Sequence, residues 1–516
     1  MKLEYLYLDK YKGLRNVRLY FQQQNTPVSI NFLIGKNGSG KSSLLEAIGM
    51  IFTRILQGET PGFDFEIIYS MPDGTRIKAM PEREKYATTG LCVEIEKQRE
   101  IVKTNQIPQE YLPDRIISYC SGANQSMEEL LLKSNKEALE EELYDLSLQE
   151  SEEVDSQKIS RLLTYREQLE SNPRALSLDA VTSKFVLPVL FSVLPVKKSR
   201  EGQKEELWRY CKLREMLVKR ICVEIFPFAF SIRVNREALE QSGDIPQLNI
   251  LRRLLGEGAE TAADYTNYGW SADQVGEEGN LSEESVSVFL FQTVEESIPT
   301  SYFQPVLQEF FEGNPFMFLS VLLTAYDTGM INSIEFLYKA EEREGLYNLE
   351  ALSDGELMWL ARTGLVLMAQ SYCGENTLFL YDEPDVHFND DWNKDFMKIL
   401  YELSENTKHQ FLIATHSTLL LTDARYEQVH VFQQIPGEDT IVSSAEISTF
   451  AAQRDEIARE IFDASDIGSY ARESVQQMME EKDKEKMKEN ISKLGPGFQR
   501  FRLYEQYYEM FDQPLE

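Results

Sequence analysis

The stretch Gly35-Lys-Asn-Gly-Ser-Gly-Lys-Ser42 constrains this chain more than any other part of it. An apolar run, Pro27 to Ile34, leads into it as a buried parallel strand would. Ser43 to Phe52 follows with its apolar residues at helical spacing. Strand, glycine loop and helix is the context that makes G-x-x-x-x-G-K-S a phosphate-binding loop rather than a chance glycine turn. Gly35, Gly38 and Gly40 let backbone N–H groups converge on phosphate oxygens, and the helix N-terminus adds partial positive charge. Lys41 is placed to reach the β- and γ-phosphates, and Ser42 to offer its hydroxyl to Mg²⁺. Lys36, Asn37, Ser39 and Ser43 complete the expected nucleotide-contacting set. An α/β fold follows.

At 516 residues the chain should hold two or three domains, and 28 Phe with 25 Tyr supply ample core. No apolar run approaches the roughly 20 residues needed to span a bilayer. The opening MKLEYLYLDKYKGL reads as strand alternation with interspersed charge, not as a signal peptide. Five cysteines, odd in number and without any C-x-x-C, argue against zinc and against a disulfide framework. A reducing cytoplasm is expected, with Mg²⁺ the only metal implied. A net charge of −32 repels a polyanion such as DNA at long range, so nucleic-acid contact would need a local patch. Lys197 to Arg220, with nine Lys/Arg against four Glu, could be one, but a solvated amphipathic helix is the reading favoured there. Ser126 to Asp155, with eleven acidic residues against two lysines, reads as a solvated helix face or a flexible connector.

Three further motifs lie far downstream. Leu352-Ser-Asp-Gly-Glu356 opens a strong helix pattern, LMWLARTGLVLMAQ. A Ser-x-Gly turn there presents a hydroxyl and free N–H groups to an anion through Ser353 and Gly355. Thr377-Leu-Phe-Leu-Tyr-Asp-Glu-Pro384 reads as a buried strand that delivers two acids to its carboxyl end, the edge where open parallel sheets bind ligands. Asp382 is expected to anchor Mg²⁺ opposite Ser42, and Glu383 to act as general base on the attacking water. Gln410 to Ser417, QFLIATHS, is another apolar strand, and it ends at His416, one of four histidines. In that position His416 is expected to meet the γ-phosphate or the attacking water.

In this order the motifs resemble those of the ABC-type ATPases, in the RecF/SMC/OLD-like branch. GKNGSGKSSLLEAI stands for Walker A, LSDGE for the signature, YDEP for Walker B and ATHS for the histidine switch. The opening LEYLYLDKYKGLRNVRLYF is similar to that branch's first two strands, with Tyr11-Lys12 as its aromatic-plus-basic pair. DVHFND resembles the E-x-H-L-H-P stretch of OLD-type ATPases, departing from it at Asn389 and Asp390. The resemblance implies a P-loop NTPase head of ABC type with a mixed sheet, binding and hydrolysing ATP with Mg²⁺. It adds Lys12 to the nucleotide contacts and Gln125 to the metal site as the glutamine-loop residue. It also implies a homo-oligomer in which Ser353 of one copy meets the γ-phosphate held by another, so that ATP is sandwiched between heads.

The expected organisation is an N-terminal core half over 1–125 and a mostly helical inserted lid over 126–330. A C-terminal core half over 331–445 and a helical extension over 446–516 follow. Sustained heptads are absent, so the insert reads as a compact lid or partner platform rather than a coiled-coil arm. The final helix, FQRFRLYEQYYEMF, is dense in aromatics and either packs back or docks a partner. By resemblance, the chain is expected to be a nucleotide-dependent switch or scaffold in a prokaryotic anti-phage or restriction-associated complex, similar to Septu- and PARIS-type ATPases. It would control a separate nuclease or toxin, with no membrane partner and any nucleic-acid contact indirect. A RecF-like repair ATPase that binds DNA directly is the alternative. A transporter-type subunit and a simple P-loop kinase fit less well.

Overall fold

The computed structural model describes residues 1–21, 29–56, 59–84, 87–120, 175–178, 186, 189, 225–235, 238, 246–254, 284–290, 310–311, 313–327, 329–340, 346–348, 352–372, 376–406, 409–434, 437–464 and 468–511. The N-terminal part runs β1 (Lys2–Tyr11), β2 (Leu14–Tyr20), β3 (Ile30–Gly35), α1 (Lys41–Leu56), β4 (Phe65–Ser70), β5 (Arg76–Glu84), β6 (Ala87–Lys97), β7 (Glu100–Thr104) and β8 (Arg115–Cys120). The middle contributes β9 (Ala175–Leu178), β10 (Ile225–Asn235), α2 (Pro246–Arg253), β11 (Glu284–Leu290) and α3 (Pro315–Asp327). Then come β12 (Ile331–Ala340), β13 (Leu346–Asn348), α4 (Asp354–Tyr372), β14 (Thr377–Asp382), α5 (Asp390–Asn406), β15 (Gln410–Ala414), α6 (Thr418–Leu421), β16 (Val429–Gln433) and β17 (Ile441–Ser444). Four helices close the chain: α7 (Arg454–Phe462), α8 (Ser469–Met479), α9 (Lys484–Lys493) and α10 (Phe498–Phe511).

The central sheet has the order β17-β16-β3-β15-β14-β8-β9. All its pairings are parallel except β16–β17. Its inner strands β3, β14, β15 and β8 are buried at every position, which is why INFLIG, TLFLYD and QFLIA are nearly continuous apolar runs. Alternate residues point to opposite faces. Leu33, Ile116, Leu378, Leu380 and Leu412 join a core with α1 and a six-stranded antiparallel sheet, β2-β1-β4-β5-β6-β7. Phe32, Ile117, Phe379, Tyr381 and Phe411 face a second core built from α3, α4, α5 and β10.

The segment expected as a lid supplies strands as well as helices. Its β9 pairs with β8 at the edge of the central sheet, and β10 and β11 join β12 and β13 in an antiparallel sheet, β11-β10-β12-β13. The boundary placed at 330 therefore falls inside a hydrogen-bonded sheet. Among the described residues no helix is long and apolar enough to cross a membrane.

Candidate nucleotide site

Parallel pairing brings the carboxyl ends of four strands to one edge. Phe432 is in register with Gly35, Ala414 with Leu33, and Asp382 with both Ala414 and Cys120. Between Gly35 and α1 the chain turns over the end of β3. A Cβ on Gly35 would lie 2.8 Å from the Ser39 hydroxyl, and φ is +150° there, so only glycine fits. Gly40, at φ +93°, sits against the Leu14 side chain of the β1–β2 hairpin. Ser39 N–H donates to Lys36 O at 3.1 Å and Leu44 N–H to Gly40 O at 2.9 Å, which closes the loop and starts the helix. Residues 36 to 43 thus lie as a loop and first helical turn at the end of β3.

Lys41 is buried, and its ammonium donates to Gly35 O at 3.1 Å and Lys36 O at 3.5 Å. It also stands 2.8 Å from His416 Nε2. Burial lowers the Lys41 pKa, opposed by the charges of Glu383 and Asp382. Burial, then the Lys41 charge, lowers that of His416. Neutral His416 with Nε2 accepting from Lys41 satisfies both groups. On that assignment the 3.5 Å approach of Glu383 Oε1 to Nε2 is a close contact rather than an ion pair. Glu383 Oε2 accepts from the His416 backbone N–H at 3.3 Å. Burial, with Asp385 and Asp382 nearby, raises the Glu383 carboxyl to about 7.

Asp382 is buried at the end of β14, and burial raises its pKa. The Ser42 hydroxyl beside it opposes that rise, and Cys120 Sγ stands 3.6 Å from its carboxylate. Burial and the Asp382 charge push the Cys120 thiol up to about 12, so it stays protonated and is no ligand for a hard cation. A hydroxyl and one carboxylate are the oxygen donors that suit Mg²⁺, which keeps several waters and takes the rest of its shell from phosphates. Among the described residues no group of three or more His, Cys, Asp or Glu could hold a metal by itself. The donor set fits the cation expected.

Lys41, Ser42, Asp382, Glu383 and His416 are therefore brought together. The other expected residues lie as follows. Lys12, in the left-handed turn between β1 and β2 (φ +50°), places its ammonium 2.5 Å from the buried carboxylate of Glu46 on α1. Ser353 caps α4. Its N–H and hydroxyl donate to Glu356 Oε2 at 2.7 and 2.8 Å, and Glu356 N–H points back at 3.4 Å, a reciprocal capping box. A Cβ on Gly355 would lie 2.7 Å from the Trp392 ring and 2.9 Å from His387 O, so its bareness lets α4 press on the segment after Walker B. Gln125 lies outside the described residues.

Several contributors lie outside the sequence motifs. Glu46 could have been noticed as the lone acid in an otherwise apolar helical run. Thr415 Oγ1 donates to Asp385 Oδ1 at 2.8 Å and steadies the turn after Glu383. From the C-terminal extension, Asp463 meets Lys36 at 3.1 Å, and the Phe462 ring lies 6.0 Å from that of His416. No local pattern announces either contact.

Residues 1–182 match the family model of an AAA ATPase domain. The fold is α/β, of the P-loop NTPase type. Among solved structures, the SMC head domain from Thermotoga maritima aligns at 12% identity and TM-score 0.34, over 87% of this chain and 100% of that one. The Smc head domain from Pyrococcus furiosus, bound to the C-terminal domain of ScpA, aligns at 14% identity and TM-score 0.31, over 87% and 96%. A SmcHead bound to the C-winged helix domain of ScpA aligns at 11% identity and TM-score 0.31, over 86% and 98%. No curated protein sequence matches this one.

Proposed function

We propose that this chain binds ATP with Mg²⁺ and hydrolyses it, so that bound ATP holds heads together and hydrolysis releases them, a two-state switch biased by the γ-phosphate. One observation carries the reading. A glycine cradle, a buried lysine, a hydroxyl–carboxylate pair and a partly buried glutamate converge at one sheet edge from segments more than 300 residues apart.

The N–H groups of residues 35–43 and the Lys41 ammonium hold the phosphates, exchanging the Gly35 and Lys36 carbonyls for phosphate oxygens. Ser42 and Asp382 would hold Mg²⁺, with Gln125 as the glutamine-loop ligand. The ion, when bound, neutralises charge on the β- and γ-phosphate oxygens. Glu383 receives the proton of the attacking water, and His416, held neutral beside Lys41, orients that water or the γ-phosphate. Ser353 and Gly355 of a facing copy complete the site, and Lys12 lies beside it. A separate effector, a nuclease or toxin in an anti-phage or restriction-associated complex, is the partner the sequence resemblance favours. The proposed architecture has core halves over 1–125 and 331–445, an inserted segment over 126–330 whose β10 and β11 share a sheet with β12, and an extension over 446–516.

The test is phosphate release by the purified chain, beside Lys41→Ala and Glu383→Gln. Lys41→Ala should lose nucleotide binding or turnover. Glu383→Gln should bind ATP, turn over slowly and accumulate as an ATP-dependent assembly on gel filtration. Turnover by Glu383→Gln equal to the parent's removes Glu383 as the base.

A further inference from the structure

Arg362 is 4% exposed, on the helix that Ser353 caps. Among the described residues no carboxylate lies within ion-pair distance of it, so the burial of its charge is offset by other groups. Its Nη1 donates to Pro384 O and, at 3.1 Å, to Val386 O; its Nη2 donates to the Tyr119 hydroxyl. Its guanidinium carbon lies 4.1 Å from the centre of the Tyr119 ring and 4.5 Å from that of Phe388. An apolar side chain would fill this space without desolvating a charge. What the planar fork adds is two N–H bonds into the turn 384–386 and a third to the neighbouring strand.

That turn needs holding. Glu383 and His387 both adopt left-handed backbone, at φ +51° and +75°, which non-glycine residues rarely do. Pro384 between them has no N–H to contribute. Val386 N–H to Glu383 O at 3.3 Å and Phe388 N–H to Asp385 O at 3.0 Å bridge the turn internally. The guanidinium ties two of its remaining carbonyls to α4 and β8.

We infer that Arg362 is a positioning residue for the hydrolytic step: by clamping the carbonyls of Pro384 and Val386 it fixes the backbone that aims Glu383 at the attacking water. The inference rests on the reading of Glu383 as the base. Arg362 touches neither nucleotide-loop residues nor the Ser42–Asp382 pair, so its loss acts on turnover and not on ATP affinity. Lysine cannot replace it, because one ammonium cannot reproduce the fork that spans two carbonyls and a phenol.

The test compares Arg362→Lys and Arg362→Gln in the full chain, alone and combined with Glu383→Gln. The readouts are single-turnover hydrolysis, ATP affinity by fluorescent-analogue displacement, and circular dichroism. Both single variants should lose about tenfold or more in kcat while ATP affinity stays within about threefold, since small displacements of a reacting group cost heavily. In the Glu383→Gln background, Arg362→Lys should cost less than about twofold further, because the two changes remove one function. Parent-like kcat in both single variants, with Glu383→Gln inactive, overturns the inference but leaves the base reading standing. An additive double variant, a parallel fall in kcat and ATP affinity, or variants that do not fold also overturn it, and make the guanidinium a packing requirement. Active Glu383→Gln defeats the base reading itself.

Discussion

His430 lies on β16 with its Nε2 3.0 Å from Asn31 Oδ1, and burial lowers its pKa from 6.5 to about 4. Because the folded value lies below the unfolded one, protonation favours the unfolded chain. The contribution to stability is complete above pH 6.5 and is lost as the pH falls from there toward 4. The whole effect is worth roughly 3 kcal/mol. Urea unfolding at pH 7 and pH 4.5 should therefore cost the parent about 2 kcal/mol more than it costs His430→Gln. Equal losses would mean that the imidazole is not held neutral. Lys12 makes a second residue-scale case, since Glu46 is 3% exposed and loses its cationic partner in Lys12→Met. That variant should lose about 1–3 kcal/mol, less than a fully buried pair because Lys12 itself is half exposed. The double variant Lys12→Met/Glu46→Leu should recover most of that stability. ATP affinity then decides the sequence-based expectation for Lys12: a nucleotide contact predicts weak binding in both variants, and a purely structural lysine predicts parent-like binding in the restored double.

At the scale of elements, Ser353 serves its own helix as a cap whatever it does for a facing copy. Ser353→Ala should cost about 1 kcal/mol of unfolding free energy, and Ser353→Thr, which keeps an acceptor oxygen, should regain most of it. A null effect of the alanine on unfolding would show the capping box to be idle in solution. The elements that carry the site were legible because their physics is local. β3, β14 and β15 are buried on both faces and read as unbroken apolar runs, and each ends in the residues that face the ligand edge. Such motifs carry their own punctuation, so Lys41, Ser42, Asp382, Glu383 and His416 could be named before the fold. The rest was set by pairing across hundreds of residues. β5 buries Ile77 and Ala79 on one face and carries Arg76, Lys78 and Glu82 on the other, so its charges masked its place in a six-stranded sheet. Cys120 reaches Asp382 only because β8 lies beside β14. Arg362, alone among apolar residues in α4, reads from sequence as a solvent-facing side chain. It is buried because Tyr119, Pro384 and Phe388 converge on it from two other elements.

For the whole molecule, the C-terminal extension divides at its middle. Helix α7 belongs to the main body: Ile457 sits in the larger core, Ile461 and Phe462 pack on it, and Arg454 meets Asp390 at 2.6 Å. Helices α9 and α10 instead gather Met487, Ile491, Leu503 and Tyr507 into a small core of their own, with Met478 and Met479 of α8 against it. The aromatic density of α10 is thereby split. Leu503 and Tyr507 turn inward, while Phe498 and Phe501 remain 67% and 60% exposed, and Tyr470 on α8 is 85% exposed. A cluster that size adds little to a core an order of magnitude larger, and it stabilises mainly the helices that form it. Ending the chain after Ala464 should therefore shift the melting temperature of the remainder by no more than about 3 °C and leave ATP affinity unchanged. Ending it after Gln453 removes Ile457 and Phe462 from the core and the ring beside His416. That truncation should lower the melting temperature well beyond the first and slow ATP turnover as well. Calorimetry on the two truncations settles the division, and equal destabilisation by both would place the last three helices within the cooperative unit of the ATPase body.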